Sequence, residues 1–315
     1  MAAQKRSIGL VVRVLGALIV GLSLLFVMQR ILTSDFRSLE RVPAGLTVAM
    51  IIGGTLVYAA NSFLLSAGWW RLLIWFGEQG ASGRMCHMVY ARTAIARYLP
   101  GNVFHVANRH LLGRRFGLRH TTLVGAAVYE IIGVLIAAGA IGILGIGLLD
   151  VPQAAAPTLA LAAMLAAVLV APILVNVTIR RLGLSERLGL PERSHLEVTR
   201  SLAPILLRYI VFFVIAGLIV LTLTAVIAEV RDVGTALAVV TIFAVSWVAG
   251  FITPGAPAGV GVREATMVVA MEPLFGSATS VLIALCFRVI TTLGDVVFFL
   301  ASFGIPQRSS QTANG

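Results

Sequence analysis

The sequence predicts an all-α, polytopic transmembrane helix bundle of about seven to eight spans. Two further segments are broken by Pro-Gly pairs, and the whole carries a two-fold internal repeat. Three observations lead there. Of 315 residues, 59% are hydrophobic and only 12% charged, against roughly 45–50% and about 25% in soluble domains. Mean hydropathy is +0.98. Seven stretches each offer the roughly 20 apolar residues that a bilayer crossing needs. This composition excludes a water-soluble globule, a disordered tail and a collagen-like fibre.

The expected spans are 8–28, 45–68, 121–148, 155–178, 202–228, 234–253 and 278–303. Residues 85–112 and 254–275 are apolar but interrupted by Pro, Gly and Arg. Residues 1–305 read as one membrane domain with half-repeats at about 45–178 and 202–303, and 306–315 as a polar, disordered tail. Lys5 and Arg6 before an apolar run look like a signal peptide. The run is too long, however, and Gln29-Arg30 follows it in place of small residues, so a retained first span is expected.

The net charge is +11, and 23 of the 24 basic residues are Arg. In a soluble protein such a balance would suggest nucleic acid. Here the cations fall between apolar segments, so topology accounts for them and no nucleic-acid partner is expected. With the N-terminus in the cytoplasm, inside segments hold 16 cations (3 + 8 + 5) and outside segments 4, as the positive-inside rule requires. Trp69, Trp70 and Trp75 stand where the second span should leave the bilayer, as an interfacial belt does. Arg208 is expected to snorkel near a span end.

The repeat rests on four features in order. Pro100-Gly101 and Pro254-Gly255 each precede an Arg nine residues after the Pro, Arg109 and Arg263. Phe116-Gly117 and Phe275-Gly276 then lead into long spans, each with one charge: Glu130, thirteen residues after Gly117, and Arg288, twelve after Gly276. Four clear spans separate the motifs, which favours a parallel repeat. Such halves are common in transporter folds, whose sites lie near the midplane at discontinuous helices.

Non-helical backbone at membrane depth persists only inside protein or along a wet cavity. Pro100-Gly101 and Pro254-Gly255-Ala256-Pro257 therefore mark a cavity or a surface loop, and Gly259-Val260-Gly261-Val262-Arg263-Glu264 then resumes a helix. A helix resuming at Arg263-Glu264 would present free N–H groups and a positive dipole end to an anion. The plainer reading is a helix end at the surface with Arg263 reaching lipid headgroups. Glu130 and Arg288 lie about 15 Å into their spans, where a lone charge costs roughly 2.5–3.5 kcal/mol or more. They are expected to pair with each other, with Asp295 as an alternative partner for Arg288. His105 is an isolated residue of the first broken segment, expected to hydrogen-bond there. No catalytic set, metal-ligand spacing or cofactor motif stands out, and Cys86 and Cys286 form no framework. No enzymatic activity is expected.

At these motifs the chain resembles the flippase-like transmembrane region of lysylphosphatidylglycerol synthases, in its stand-alone form without the soluble synthase domain. The resemblance rests on Tyr98-Leu99-Pro100-Gly101-Asn102-Val103 with Phe104-His105 and Arg109. Pro257-Ala258-Gly259-Val260-Gly261-Val262-Arg263-Glu264-Ala265 carries the second motif. That motif usually reads Pro-Gly-Gly-x-Gly-x-Arg-Glu, so Ala258 replaces a glycine. The resemblance implies a lipid-translocating or lipid-linked role in the bacterial inner membrane, with a lipid-synthesis enzyme or glycosyltransferase as a potential partner.

The expectation that follows is binding and leaflet-to-leaflet movement of an anionic phospholipid or polyprenyl-phosphate lipid. Arg109 and Arg263 would hold the headgroup phosphate, with Pro100, Gly101, Asn102, His105, Gly259 and Gly261 around it. Glu264 would orient one of the two arginines, and Glu130 with Arg288 would form a mid-membrane switch. Rival readings are a proton-coupled carrier of a small anion, a membrane-embedded transferase, and a non-transporting partner of a lipid-synthesis or glycosyl-transfer enzyme.

Overall fold

The computed structural model describes residues 2–35, 37, 42, 44–99, 104–148, 156–188, 190, 192 and 194–304. Seven helices are long and apolar enough to cross a membrane. They are α1 (Ala2–Thr33), α2 (Ala44–Trp75), α5 (His120–Leu148), α6 (Ala156–Arg181), α7 (His195–Ile227), α8 (Val233–Ile252) and α10 (Ser277–Ala301). The broken segments supply shorter helices: α3 (Gly83–Ala94), α4 (Phe104–Arg115) and α9 (Val262–Phe275). Tight 3₁₀ turns, Ile95–Tyr98 and Pro257–Gly259, lie at the breaks. Among the described residues no strand occurs. The expected tail, 306–315, lies outside them.

Local sequence sets the helix ends. Ser194 and Glu197 satisfy each other's backbone N–H groups at the start of α7. Asp232 accepts from the Thr235 N–H at 2.7 Å and starts α8.

Small residues let the central helices approach. Helix α2 runs antiparallel to α7: Gly54 meets Ile219, the Asn61 amide donates to the Phe212 carbonyl at 2.9 Å, and Gly68 meets Tyr209. Positions 54, 61 and 68 recur every seventh residue, so they form one seam. A Cβ on Gly68 would clash with the Tyr209 ring. Lipid tails are as apolar as the side chains, so this close packing, rather than hydrophobic exclusion, holds the pair together.

The two broken segments enter the bundle from opposite ends. At one end α2 stops, α3 starts, α4 stops and α5 starts, with the α6–α7 link packed there through Leu188 against Gly125. At the other end α7 stops, α8 starts, α9 stops and α10 starts, and Ser34 after α1 meets Ser277 at 2.9 Å. Neither α3–α4 nor α8–α9 gains a net crossing. Three crossings, α5, α6 and α7, separate the two hairpins, and an odd number inverts the second relative to the first. The parallel repeat favoured by the motif spacing is therefore corrected: α2, α3–α4 and α5 correspond to α7, α8–α9 and α10 with inverted topology. Helix α8 is apolar enough for a span, but it returns through α9 and adds no net crossing.

Helix α1 seals the second break. A Cβ on Gly16 would clash with the Pro254 carbonyl oxygen, so only glycine admits that contact. The chain then turns through Gly255, Ala258, Gly259 and Gly261, all at positive φ. Ala258, at φ 50°, holds the left-handed conformation without the freedom of glycine.

Candidate functional site

The tips of the two hairpins meet in the middle of the bundle and border a cavity of about 90 Å³. That is room for several waters or one phosphate-sized group. Its polar lining comes from both halves: Arg97, Tyr98, His105, Arg109 and Glu130 from the first, Arg263, Arg288 and Asp295 from the second.

Three ion pairs surround it. Arg109, on α4, donates to Glu130 Oε2 on α5. Glu130 Oε1 also accepts from the Tyr90 hydroxyl at 2.6 Å. The Arg109 guanidinium lies 3.8 Å above the centre of the Tyr90 ring, so an aromatic face takes over part of its solvation. Both partners are buried, Arg109 at 4% and Glu130 at 7% exposure. In the other half the charges are exchanged. Glu264 on α9 is the anion and Arg288 on α10 the cation, 3.3 Å apart. Arg288 also donates to the Ala258 carbonyl at 3.2 Å, and Glu264 Oε2 accepts from the Gly261 N–H at 2.6 Å. The third pair joins the halves: Asp295 on α10 meets Arg97 at 3.2 Å and accepts from the Tyr98 hydroxyl at 2.8 Å.

Arg263 is the remaining cation of the lining. Among the described residues it has no carboxylate within salt-bridge distance; its Nε is buried and unpartnered, and its guanidinium lies 5.9 Å from the Trp247 ring centre. Counting the four arginines against Glu130, Asp295 and Glu264 leaves a formal excess of one positive charge (4 − 3). His105 Nδ1 is likewise buried without a partner. A cavity inside a bilayer that holds one unneutralised guanidinium favours an anion.

Several sequence expectations need correction. Glu130 and Arg288 do not pair, because α4 and α9 bring each a nearer opposite charge. Asp295 serves Arg97 instead of Arg288. Glu264 orients Arg288, not Arg109 or Arg263. The anion site expected at the α9 N-terminus is partly filled, since Glu264 already satisfies Gly261 and answers the dipole. Trp69 and Trp75 are buried, at 1% and 4% exposure, so they are not interfacial anchors. Trp69 packs beside Tyr90 and within 5.5 Å of Arg109. Gly259 lines the cavity and Gly261 borders it through Glu264, whereas Pro100, Gly101 and Asn102 lie outside the described residues. Arg109 and Arg263 do face one hollow.

Arg97 was missed. Its signal was its place directly before Tyr98 and Pro100, but eight arginines between 71 and 119 already had a topological explanation. No group of three His, Cys, Asp or Glu suited to a metal occurs among the described residues.

These features define a class: a multi-pass helical membrane protein built from inverted halves around a charged cavity. The comparison with known proteins then gives the family. The pattern of the lysylphosphatidylglycerol synthase TM region matches residues 13–298, so the chain belongs to that family. No curated protein and no solved structure matches it.

Proposed function

We propose that this protein binds the headgroup phosphate of an anionic phospholipid or polyprenyl-phosphate lipid and moves it between leaflets. The observation that carries the reading is Arg263, a guanidinium without a carboxylate in a cavity whose other three arginines are paired. A phosphate diester brings the single negative charge that balances it, and a guanidinium fork suits phosphate oxygens. The cavity is too small for a whole lipid, so the acyl chains stay in the bilayer and the hairpins part to admit the head. Inverted repeats supply two related conformations for such a step.

In this reading the protein sits in a bacterial inner membrane, and the cation distribution supports a cytoplasmic N-terminus. The reading makes the protein a non-enzyme and allows a lipid-synthesis enzyme or glycosyltransferase as the neighbour that delivers or takes the lipid. A proton-coupled carrier is less well supported, because each cavity carboxylate is already held by an arginine. Native mass spectrometry of the detergent-extracted protein tests the reading. An anionic lipid should co-purify, and Arg263→Ala should reduce its occupancy. Equal retention of neutral and anionic lipids in both proteins would contradict it.

A further inference from the structure

We propose a second lipid site, separate from the central cavity, that holds an anionic phospholipid where α2 ends and α7 begins. A groove of about 340 Å³ opens between those helices. Arg71, Arg200 and Arg208 line it, and among the described residues no carboxylate does. Among the described residues none of the three forms a salt bridge. Arg208 donates to the Pro204 carbonyl at 2.6 Å, and Arg71 lies 5.1 Å from the Trp70 ring centre. Three like charges around one groove repel one another, and a bound anion relieves that repulsion. Trp75 also lines the groove, and its Nε1 is buried without a partner.

An apolar slot lies beside the groove. Ile205 lines both the groove and this slot between α5, α6 and α7, which includes Ile132, Ile136, Pro172, Val175 and Leu206. A cationic recess beside an apolar slot, with Ile205 in the lining of both, matches an amphiphile, with the phosphate among the arginines and an acyl chain along the slot. A soluble phosphate would use only half of this surface. The three arginines thus do more than orient the chain in the membrane.

The test is quenching of Trp75 by phosphatidylglycerol with brominated chains, in detergent micelles, read as the difference between the protein and its Trp75→Phe variant. Quenching should saturate, and the combined variant Arg71→Gln, Arg200→Gln, Arg208→Gln should need roughly tenfold more lipid or greater. An unchanged concentration dependence, or equal quenching by brominated phosphatidylcholine, would overturn the proposal. Glycerol 3-phosphate at equal concentration should not displace the lipid; displacement would mean a soluble phosphate site and would also overturn it. Should the triple variant fail to fold, Ala171→Phe, which fills the slot, must weaken the quenching severalfold, and no change would refute the site. Arg263→Ala should leave the Trp75 signal intact; its loss there would assign the signal to the central cavity and defeat this proposal alone.

Discussion

The two halves solve the same problem with opposite charges. In the first, the hairpin carries the cation, Arg109, and the long helix the anion, Glu130. In the second, the hairpin carries the anion, Glu264, and the long helix the cation, Arg288. The first pair is sealed, with a tyrosine hydroxyl on the carboxylate and an aromatic ring under the guanidinium. The second is looser, with Arg288 sharing itself between a carboxylate and a backbone carbonyl. The second hairpin also brings Arg263, which among the described residues has no carboxylate partner. The comparison teaches a division of labour: the first half locks, and the second half keeps a charge available.

The largest expected effect breaks the lock. Glu130→Gln leaves Arg109 buried and unpaired and should cost about 3–5 kcal/mol, seen as a lower unfolding temperature in detergent. Exchanging both residues, Arg109→Glu with Glu130→Arg, reproduces the charge order of the other half and should recover part of that loss. No recovery would mean that the halves are not interchangeable at this pair. Glu264→Gln should cost less, about 1–3 kcal/mol, because Arg288 keeps the Ala258 carbonyl. If it costs as much as Glu130→Gln, the contrast between the halves is wrong. Ala258→Gly removes a non-glycine residue from the left-handed region and should stabilise the fold by about 1 kcal/mol.

The smallest effect lies outside the spans. Burial raises the Glu78 carboxyl, but the Arg119 backbone N–H and guanidinium, both 2.9 Å away, outweigh it and hold it below the usual range. The stability this contributes is present above the ordinary carboxylate pKa. It is lost as pH falls below roughly 4. Glu78→Gln should lower thermal stability slightly at neutral pH and leave it unchanged below roughly pH 4, which flattens the acid limb.

The spans were legible because about 20 apolar residues have one stable arrangement in lipid. The breaks were legible because Pro254-Gly255 cannot continue a helix, and Arg109 and Arg263 were legible through their equal offsets. What the sequence hid was pairing. Whether Glu130 meets Arg288 or Arg109 depends on whether 85–112 crosses or returns, and apolar composition is the same in both cases. Arg97 was hidden by abundance, since an arginine that balances Asp295 looks like any other in a basic stretch. Trp69 was misplaced because an aromatic at a span end packs equally well against lipid or against Tyr90.

The most direct measurement is translocation of a fluorescent phosphatidylglycerol in reconstituted vesicles, read by dithionite bleaching, for the protein and for Arg263→Ala. The account expects the variant to keep its unfolding temperature within about 1 kcal/mol equivalent, because no ion pair is lost, while translocation falls to the rate of empty vesicles. A folded Arg263→Ala variant that moves the lipid as fast as the parent would contradict it.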